Sequence, residues 1–163
     1  MPGKISIITT LSLMLIFVTS CRLQHKVIEE TYPDGSPKRV CIYKGKGENR
    51  ELVRETTFYE NKQMQMDGEF NDGKRNGLWI SWYMNGNKWS EGTFKNGKSE
   101  GKRVTYFENG KVRYEGDYKN DQRIGKWRFF DENGKLLAEE DFSAPKKYKK
   151  ARNFPGFFLF VET

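Results

Sequence analysis

Few residues of this chain have the types and spacing that covalent chemistry requires. The 163 residues include one histidine, His25, and two cysteines, Cys21 and Cys41. A catalytic nucleophile needs a base within reach, and a zinc site needs three or four ligands. His25 lies near the N-terminus with no second histidine or acidic cluster beside it, which is typical of a solvated surface residue. These residues therefore assemble neither a nucleophilic pair nor a metal site.

The carboxylates offer one alternative, an acid and base pair formed by Glu91 with Glu115 or Asp117. However, these acids recur in register, opposite or diagonal to Lys and Arg. Such a pattern is typical of cross-strand charge pairs on a solvated sheet face. No glycine cluster matches a phosphate-binding loop. We therefore predict that the protein is not an enzyme and needs no cofactor or metal.

Cys21 is the cysteine whose surroundings indicate a modification. Residues 1–4 are basic, residues 5–18 are an apolar run of signal-peptide length, and the small residues Thr19 and Ser20 precede Cys21. This order resembles the lipobox of bacterial lipoproteins, which implies that Cys21 is acylated and becomes the mature N-terminus. We expect residues 1–20 to be the signal peptide and residues 21–30 to be a tether. The alternatives are a plain cleaved signal or a short core helix.

Cys41 has no partner in the chain if Cys21 carries lipid, so no internal disulfide is predicted. A small buried hydrophobic residue is the first interpretation of Cys41. The alternative is an intermolecular disulfide that makes a dimer.

The net charge of +7 is unevenly distributed. Residues 58–142 contain 15 basic and 15 acidic side chains, whereas residues 143–163 contribute +4. A nucleic-acid interface concentrates basic residues on the face that follows the phosphates. Because the larger part of the chain is charge-balanced, we predict no nucleic-acid partner.

A hairpin over residues 79–94, joined at Asn85-Gly86, repeats along the chain with a period of 24 residues. Asn-Gly between aromatic runs is a strong hairpin signal and favours a type I′ turn. Repeats of this length form stacked arrays of one supersecondary unit. The columns are Gly68, Gly92 and Gly116; Phe70, Phe94, Tyr118 and Phe142; Phe58, Trp82, Tyr106 and Phe130; and Asn61, Asn85, Asn109 and Asn133.

The glycine column requires a reason, because glycine weakens the interior of a strand. A bare backbone can receive an aromatic ring from the neighbouring strand. We expect the rings over Gly68, Gly92 and Gly116 to come from Trp82, Tyr106 and Phe130. Substituting valine for Gly92 would then displace a ring and destabilise the array.

Two stretches carry a family resemblance: Tyr83-Met84-Asn85-Gly86 with Glu91 to Lys98, and Phe107 to Lys111 with Glu115 to Asn120. They resemble the variant MORN repeats of bacterial proteins. The resemblance implies an all-β fold, an elongated single-layer antiparallel sheet of repeated hairpins, and a binding or scaffolding role. It covers residues 58–142 strongly. Residues 31–57 are interpreted as a degenerate first repeat and loop.

Residues 143–163 combine a basic run with the aromatic segment 154–161. One interpretation is a final strand that caps the open sheet edge. The other is an element at an anionic membrane surface.

Three tryptophans are candidates for partner binding: Trp89, Trp79 and Trp127. Trp89 breaks its own column, and its alternating neighbours Asn87, Glu91 and Thr93 are polar, so we expect its ring to be exposed. The alternative is that Trp89 covers lysine stems.

We therefore expect a non-catalytic lipoprotein of the bacterial cell envelope that binds a protein partner. Arg22 after Cys21 fits the enterobacterial signal for the outer membrane. The alternatives are an antitoxin-like or immunity protein against a toxin acting in the envelope, and a glycan-binding module.

Overall fold

The computed structural model describes residues 24–143, which form one open antiparallel sheet with its strands in chain order. Cys21, the signal segment and the tail after Ser143 lie outside the described residues. Within residues 24–143, no helix is long and apolar enough to cross a bilayer. The ten strands are β1 (Gln24–Thr31), β2 (Pro37–Lys44), β3 (Glu51–Phe58), β4 (Met64–Asn71), β5 (Lys74–Trp82), β6 (Lys88–Lys95), β7 (Lys98–Tyr106), β8 (Val112–Lys119), β9 (Gln122–Phe130) and β10 (Leu136–Asp141).

The sheet begins earlier than the sequence predicts. A tether over residues 21–30 is wrong from Gln24 onward, because β1 pairs with β2 along its whole length. The turn that follows repeats the geometry of the array, since the Gly35 N–H donates to the Tyr32 carbonyl at 2.9 Å. A 3-10 helix, Gly47–Asn49, lies in the connection to β3. The array of hairpins therefore starts at β1.

Two kinds of turn alternate along the sheet. At Asn85-Gly86 only the glycine has a positive φ, 87°, and the Gly86 N–H donates to the Tyr83 carbonyl at 3.0 Å. This is not the predicted type I′ turn, which needs two successive residues of positive φ. Such pairs occur at the opposite ends of the strands, at Asp72-Gly73, Asn96-Gly97 and Asn120-Asp121.

Successive turns are bonded to one another along the array. The Asn85 side chain donates from Nδ2 to the Glu108 carbonyl of the next turn at 3.0 Å. Its Oδ1 accepts the Asn87 N–H within its own turn. The Tyr83 hydroxyl donates to the Tyr106 carbonyl at 2.8 Å. Equivalent asparagine bonds are made by Asn61 and Asn109, and equivalent tyrosine bonds by Tyr32 and Tyr59.

The two faces of the sheet differ in chemistry, because side chains alternate along a strand. One face, here called the aromatic face, carries a continuous row of rings with one arginine in it. Neighbouring members of this row lie 5.0 to 6.2 Å apart, measured between ring centroids or from the guanidinium carbon to a ring centroid. The row is Phe70, Trp79, Phe94, Arg103, Tyr118, Trp127 and Phe142.

The buried tryptophans of this row lie on the glycines of the adjacent strands. A Cβ on Gly68 would lie 2.1 Å from Trp79 Cδ2, and one on Gly116 would lie 2.3 Å from the Trp127 ring. The indole nitrogens are satisfied, since Trp79 donates to the Glu69 carbonyl at 3.0 Å. Trp79 is 4% exposed and Trp127 is 0% exposed. The prediction that these two residues bind a partner is therefore corrected: they are the core.

At Gly92 the occupant is Arg103 rather than a ring. The two residues are paired across β6 and β7, and a Cβ on Gly92 would lie 3.0 Å from Arg103 Nε. The guanidinium is held between two rings, with its carbon 5.3 Å from the Phe94 centroid and 5.6 Å from the Tyr118 centroid. Arg103 thus occupies the place that tryptophan has in the repeats on either side.

Trp82, Tyr106 and Phe130 do not cover the glycines, so that prediction is also corrected. They lie half-buried on the opposite face, here called the charged face. The Tyr106 hydroxyl donates to Glu91 Oε1 at 2.6 Å, and Glu91 points away from the face of its neighbour Gly92. The prediction named the wrong residues because each glycine is covered by the residue that pairs directly with it on the next strand, as Trp79 does with Gly68 and Arg103 with Gly92.

Cys41 is fully buried in β2, as predicted for a small hydrophobic residue. Burial raises the pKa of its thiol, which disfavours the reactive thiolate. The alternative of a disulfide dimer through Cys41 meets a steric obstacle, because the sulfur is enclosed by the sheet's own side chains.

A matched pair of glycine variants tests the packing. We expect Gly68→Ala to lower the free energy of unfolding by about 2–3 kcal/mol, because the new methyl overlaps the Trp79 ring. Gly92→Ala should cost less than about 1 kcal/mol, since the flexible Arg103 side chain can move aside. Urea unfolding followed by tryptophan fluorescence measures both. Equal losses at the two positions would contradict this account.

Candidate functional site

Trp89 is the exposed aromatic side chain of the aromatic face. The register of β5 and β6 shifts between Ser81, which pairs with Ser90, and Trp82, which pairs with Lys88. Trp89 is therefore the extra residue of a β-bulge, which redirects a side chain. Its ring lies 6.3 Å from Tyr83 and is 49% exposed. The expected exposure is confirmed, but the polar neighbours predicted from strict alternation are wrong.

A groove lies beside Trp89 on this face, with a volume of about 320 Å³. Its small side chains are Ser81 and Ser90, which pair across β5 and β6. One repeat further on, the corresponding positions across β7 and β8 hold Thr105 and Tyr114. The Tyr114 ring fills the space that Ser90 leaves open and lies 6.1 Å from the ring of Phe129 on β9. The groove is lined by Met66, Arg75, Trp79, Ser81, Trp89, Ser90, Gly92, Phe94 and Arg103.

A second depression, of about 250 Å³, continues from this groove on the other side of Trp89. It shares Met66, Ser81 and Trp89 with the first and adds Thr57, Tyr59 and Gln65. Trp89 is thus a ridge with a concave surface on each side.

Two arginines give the groove a positive charge. The Arg75 guanidinium carbon lies 4.2 Å from the Trp79 centroid and 5.7 Å from the Phe94 centroid. Arg103 contacts the same Phe94 ring, so the two cations flank one aromatic side chain. Cations stacked on rings in this way are attracted by the negative ring faces.

From β5 to β9 the charges of the two faces are segregated, whereas nearer the N-terminus Arg39 and Glu55 form an ion pair on the aromatic face. On the charged face the arginines are paired with carboxylates, as in Arg128 with Glu115 at 2.9 Å. None of the groove-lining residues is acidic. Among residues 24–143, four arginines of the aromatic face form no ion pair with a described residue: Arg75, Arg103, Arg113 and Arg123.

Both polar side-chain atoms that are buried without a hydrogen-bond partner in the described chain belong to these depressions. They are Thr57 Oγ1 and Arg103 Nε. Buried polar groups are normally paired, so each exception is a place to look for function.

The acid and base pair considered from the sequence does not form. Glu91 accepts hydrogen bonds from Lys88 and Tyr106, while Glu115 bridges Lys102 and Arg128. The bond to Lys88, then that to Tyr106, lowers the pKa of Glu91. Burial and the bond to Glu91 raise the pKa of Tyr106 to about 12. In the described part of the chain, no three His, Cys, Asp or Glu residues are grouped to hold a metal ion.

Sequence reasoning found Trp89 but missed the residues around it. The sequence did not indicate a role for Arg75, Ser81 or Ser90, because arginine and serine are common on the surface of a sheet. A signal was present in the columns, since Arg103 replaces the tryptophan of its neighbours and Ser90 replaces Tyr114. The groove is located where a repeat has smaller or charged side chains in place of the aromatic residues that its neighbours have at the same column positions.

Comparison with protein families matches three segments to the MORN repeat variant: residues 75–96, 99–120 and 123–144. The three matched segments are consecutive along the chain. Their starts are 24 residues apart, which confirms the predicted period, and together they cover less than half of the chain. Most of the groove lies on the first matched segment; Met66 precedes that segment, and Arg103 belongs to the second. Comparison with curated proteins and with solved structures found no match.

The bonded state of Glu91 predicts a pH dependence. Because the pKa of Glu91 is lower in the folded chain, its stabilising effect is complete above the ordinary value of 4.5 and is lost as pH falls through the lowered pKa. We expect Glu91→Gln to cost about 0.5–1 kcal/mol at pH 7 and to flatten the fall of stability in acid. The exposed Glu132 supplies the control Glu132→Gln. Urea unfolding between pH 3 and 7 would refute this if both variants kept the original slope.

Proposed function

We propose that this chain is a non-catalytic lipoprotein of the bacterial cell envelope, held by lipid on Cys21, whose sheet binds a protein partner through the aromatic face. MORN repeats commonly bind proteins or membranes, and a binding or scaffold role fits the fold. The observation that carries the proposal is the exposed Trp89 between two depressions and beside unpaired arginines.

The composition of this surface favours a macromolecule. Tryptophan, tyrosine and arginine are the residues that contribute most to protein interfaces, and Trp89, Tyr83 and Arg103 are grouped here. The groove is open to solvent and continues into a second depression, whereas a small-molecule site encloses its ligand. Trp79, which lines the groove with Trp89, is packed closely on Gly68 of the adjacent strand.

Anchoring at Cys21 has a geometric consequence. β1 begins at Gln24, so two residues, Arg22 and Leu23, separate the lipidated position from the sheet, and the distance from Cys21 to Gln24 is at most about 10 Å. A lipid on Cys21 would hold the β1 edge close to the membrane. The other strands would then extend the array away from it, with Trp89 on the sixth strand.

Lipidation is tested with the two cysteines as a matched pair. Cells expressing the full chain are labelled with radioactive palmitate. We expect Cys21→Ser to abolish the label and release the protein from the membrane fraction, because only a thiolate accepts the lipid. Cys41→Ser should keep the label, since that residue is in a strand. Label that persists in Cys21→Ser would refute lipid attachment at this residue.

Partner binding is tested with two exposed apolar residues on opposite faces. Trp89 is 49% exposed and Leu78, on the charged face, is 53% exposed. The lipidated protein is cross-linked in its native envelope, and captured proteins are quantified by mass spectrometry. Trp89→Ala should reduce capture of the specific partner at least tenfold, the scale of a central interface residue, whereas Leu78→Ala should not. Equal capture by all three proteins would refute this surface.

A further inference from the structure

The groove beside Trp89 combines two cations with apolar walls. Arg75 and Arg103 both contact the Phe94 ring, and neither pairs with a carboxylate of the described chain. A guanidinium without a carboxylate partner in the chain can bind a carboxylate of a ligand through paired hydrogen bonds. The walls formed by Trp89 and Met66 would remain uncovered by an inorganic ion alone. A complementary ligand therefore joins a carboxylate to an apolar group.

We propose that the groove binds an acidic residue and an adjacent apolar side chain of a peptide segment in the protein partner. This inference rests on the proposed function and specifies the ligand of the same surface. The carboxylate faces Arg103 and Arg75, for which guanidinium geometry allows paired hydrogen bonds. The apolar side chain packs against Trp89.

Two features of the groove fit a peptide rather than a free anion. Its volume of about 320 Å³ matches one or two side chains, and the second depression of about 250 Å³ continues the path beyond Trp89. Thr57 and Gln65 place polar side chains along that second depression. A linear segment can pass over the Trp89 ridge and use both depressions.

At position 103 the positive charge can be removed while the space over Gly92 stays filled. Trp79 and Trp127 occupy the equivalent positions over Gly68 and Gly116. Arg103→Trp should therefore pack on Gly92 in the same way and keep the thermal stability. It would leave the groove with one cation fewer, so binding can be separated from folding. Arg113 lies on the same face outside the groove lining, and Arg113→Gln is the matched control.

The probe is a phage-displayed library of random 12-residue peptides, selected on the full chain in detergent micelles. We expect the selected peptides to contain Asp or Glu beside Phe, Leu or Trp. For the tightest synthetic peptide, Arg103→Trp should raise Kd at least tenfold, and Arg113→Gln should change Kd less than twofold. Replacing the peptide's acidic residue by its amide should have the same effect as Arg103→Trp, and the two changes together should cost no more than either alone.

Other outcomes overturn the inference in distinguishable ways. If peptide binding depends on Trp89 but not on Arg103 or the acidic residue, the carboxylate assignment fails while the partner-binding surface stands. If binding depends on none of them, the proposed surface fails as well. If no peptide is enriched, or phosphatidylglycerol vesicles bind through Arg103 in place of peptides, the ligand is not an acidic peptide.

Discussion

A sheet of one layer has no second layer to cover it, and this constraint governs the rest of the structure. Each large ring must be buried against its own sheet, which is possible only where the opposing residue lacks a side chain. Trp79 on Gly68 and Trp127 on Gly116 meet this requirement at close range. The neighbouring rings Phe70, Phe94, Tyr118 and Phe142 then close around the tryptophans edge-on. The core of this protein is therefore a row along a surface.

In the middle of the row, Arg103 both packs within the aromatic face and lines the groove. Arg103 takes the place of a tryptophan and is stabilised by Phe94 and Tyr118, so the array continues without a break. In the adjoining hairpin, Ser81 and Ser90 leave open the space that larger side chains fill further along. These substitutions keep the backbone repeat regular, and at this one place they produce a concave, positively charged surface.

The net charge does not show how the charged side chains are distributed between the two faces. Residues 58–142 are neutral in total, yet the ion pairs lie on the charged face and the unpaired arginines on the aromatic face. A cation stacked on a ring keeps its charge, whereas one bonded to a carboxylate is largely neutralised outside its immediate surroundings. The two faces therefore present different potentials to a partner, although their repeats have the same spacing.

The sequence alone determined the period, the hairpin unit, the all-β class and the role of glycine as a packing position, because these depend on residue type and spacing along the chain. It also indicated that Cys41 is buried and that Trp89 is exposed. Only the tertiary structure decided which residue covers each glycine, and it chose Trp79 and Arg103 over Trp82 and Tyr106. The reason is register: a bulge changes the face on which a side chain lies, and one shift at Trp89 moves it from the polar neighbours predicted by alternation to the aromatic groove.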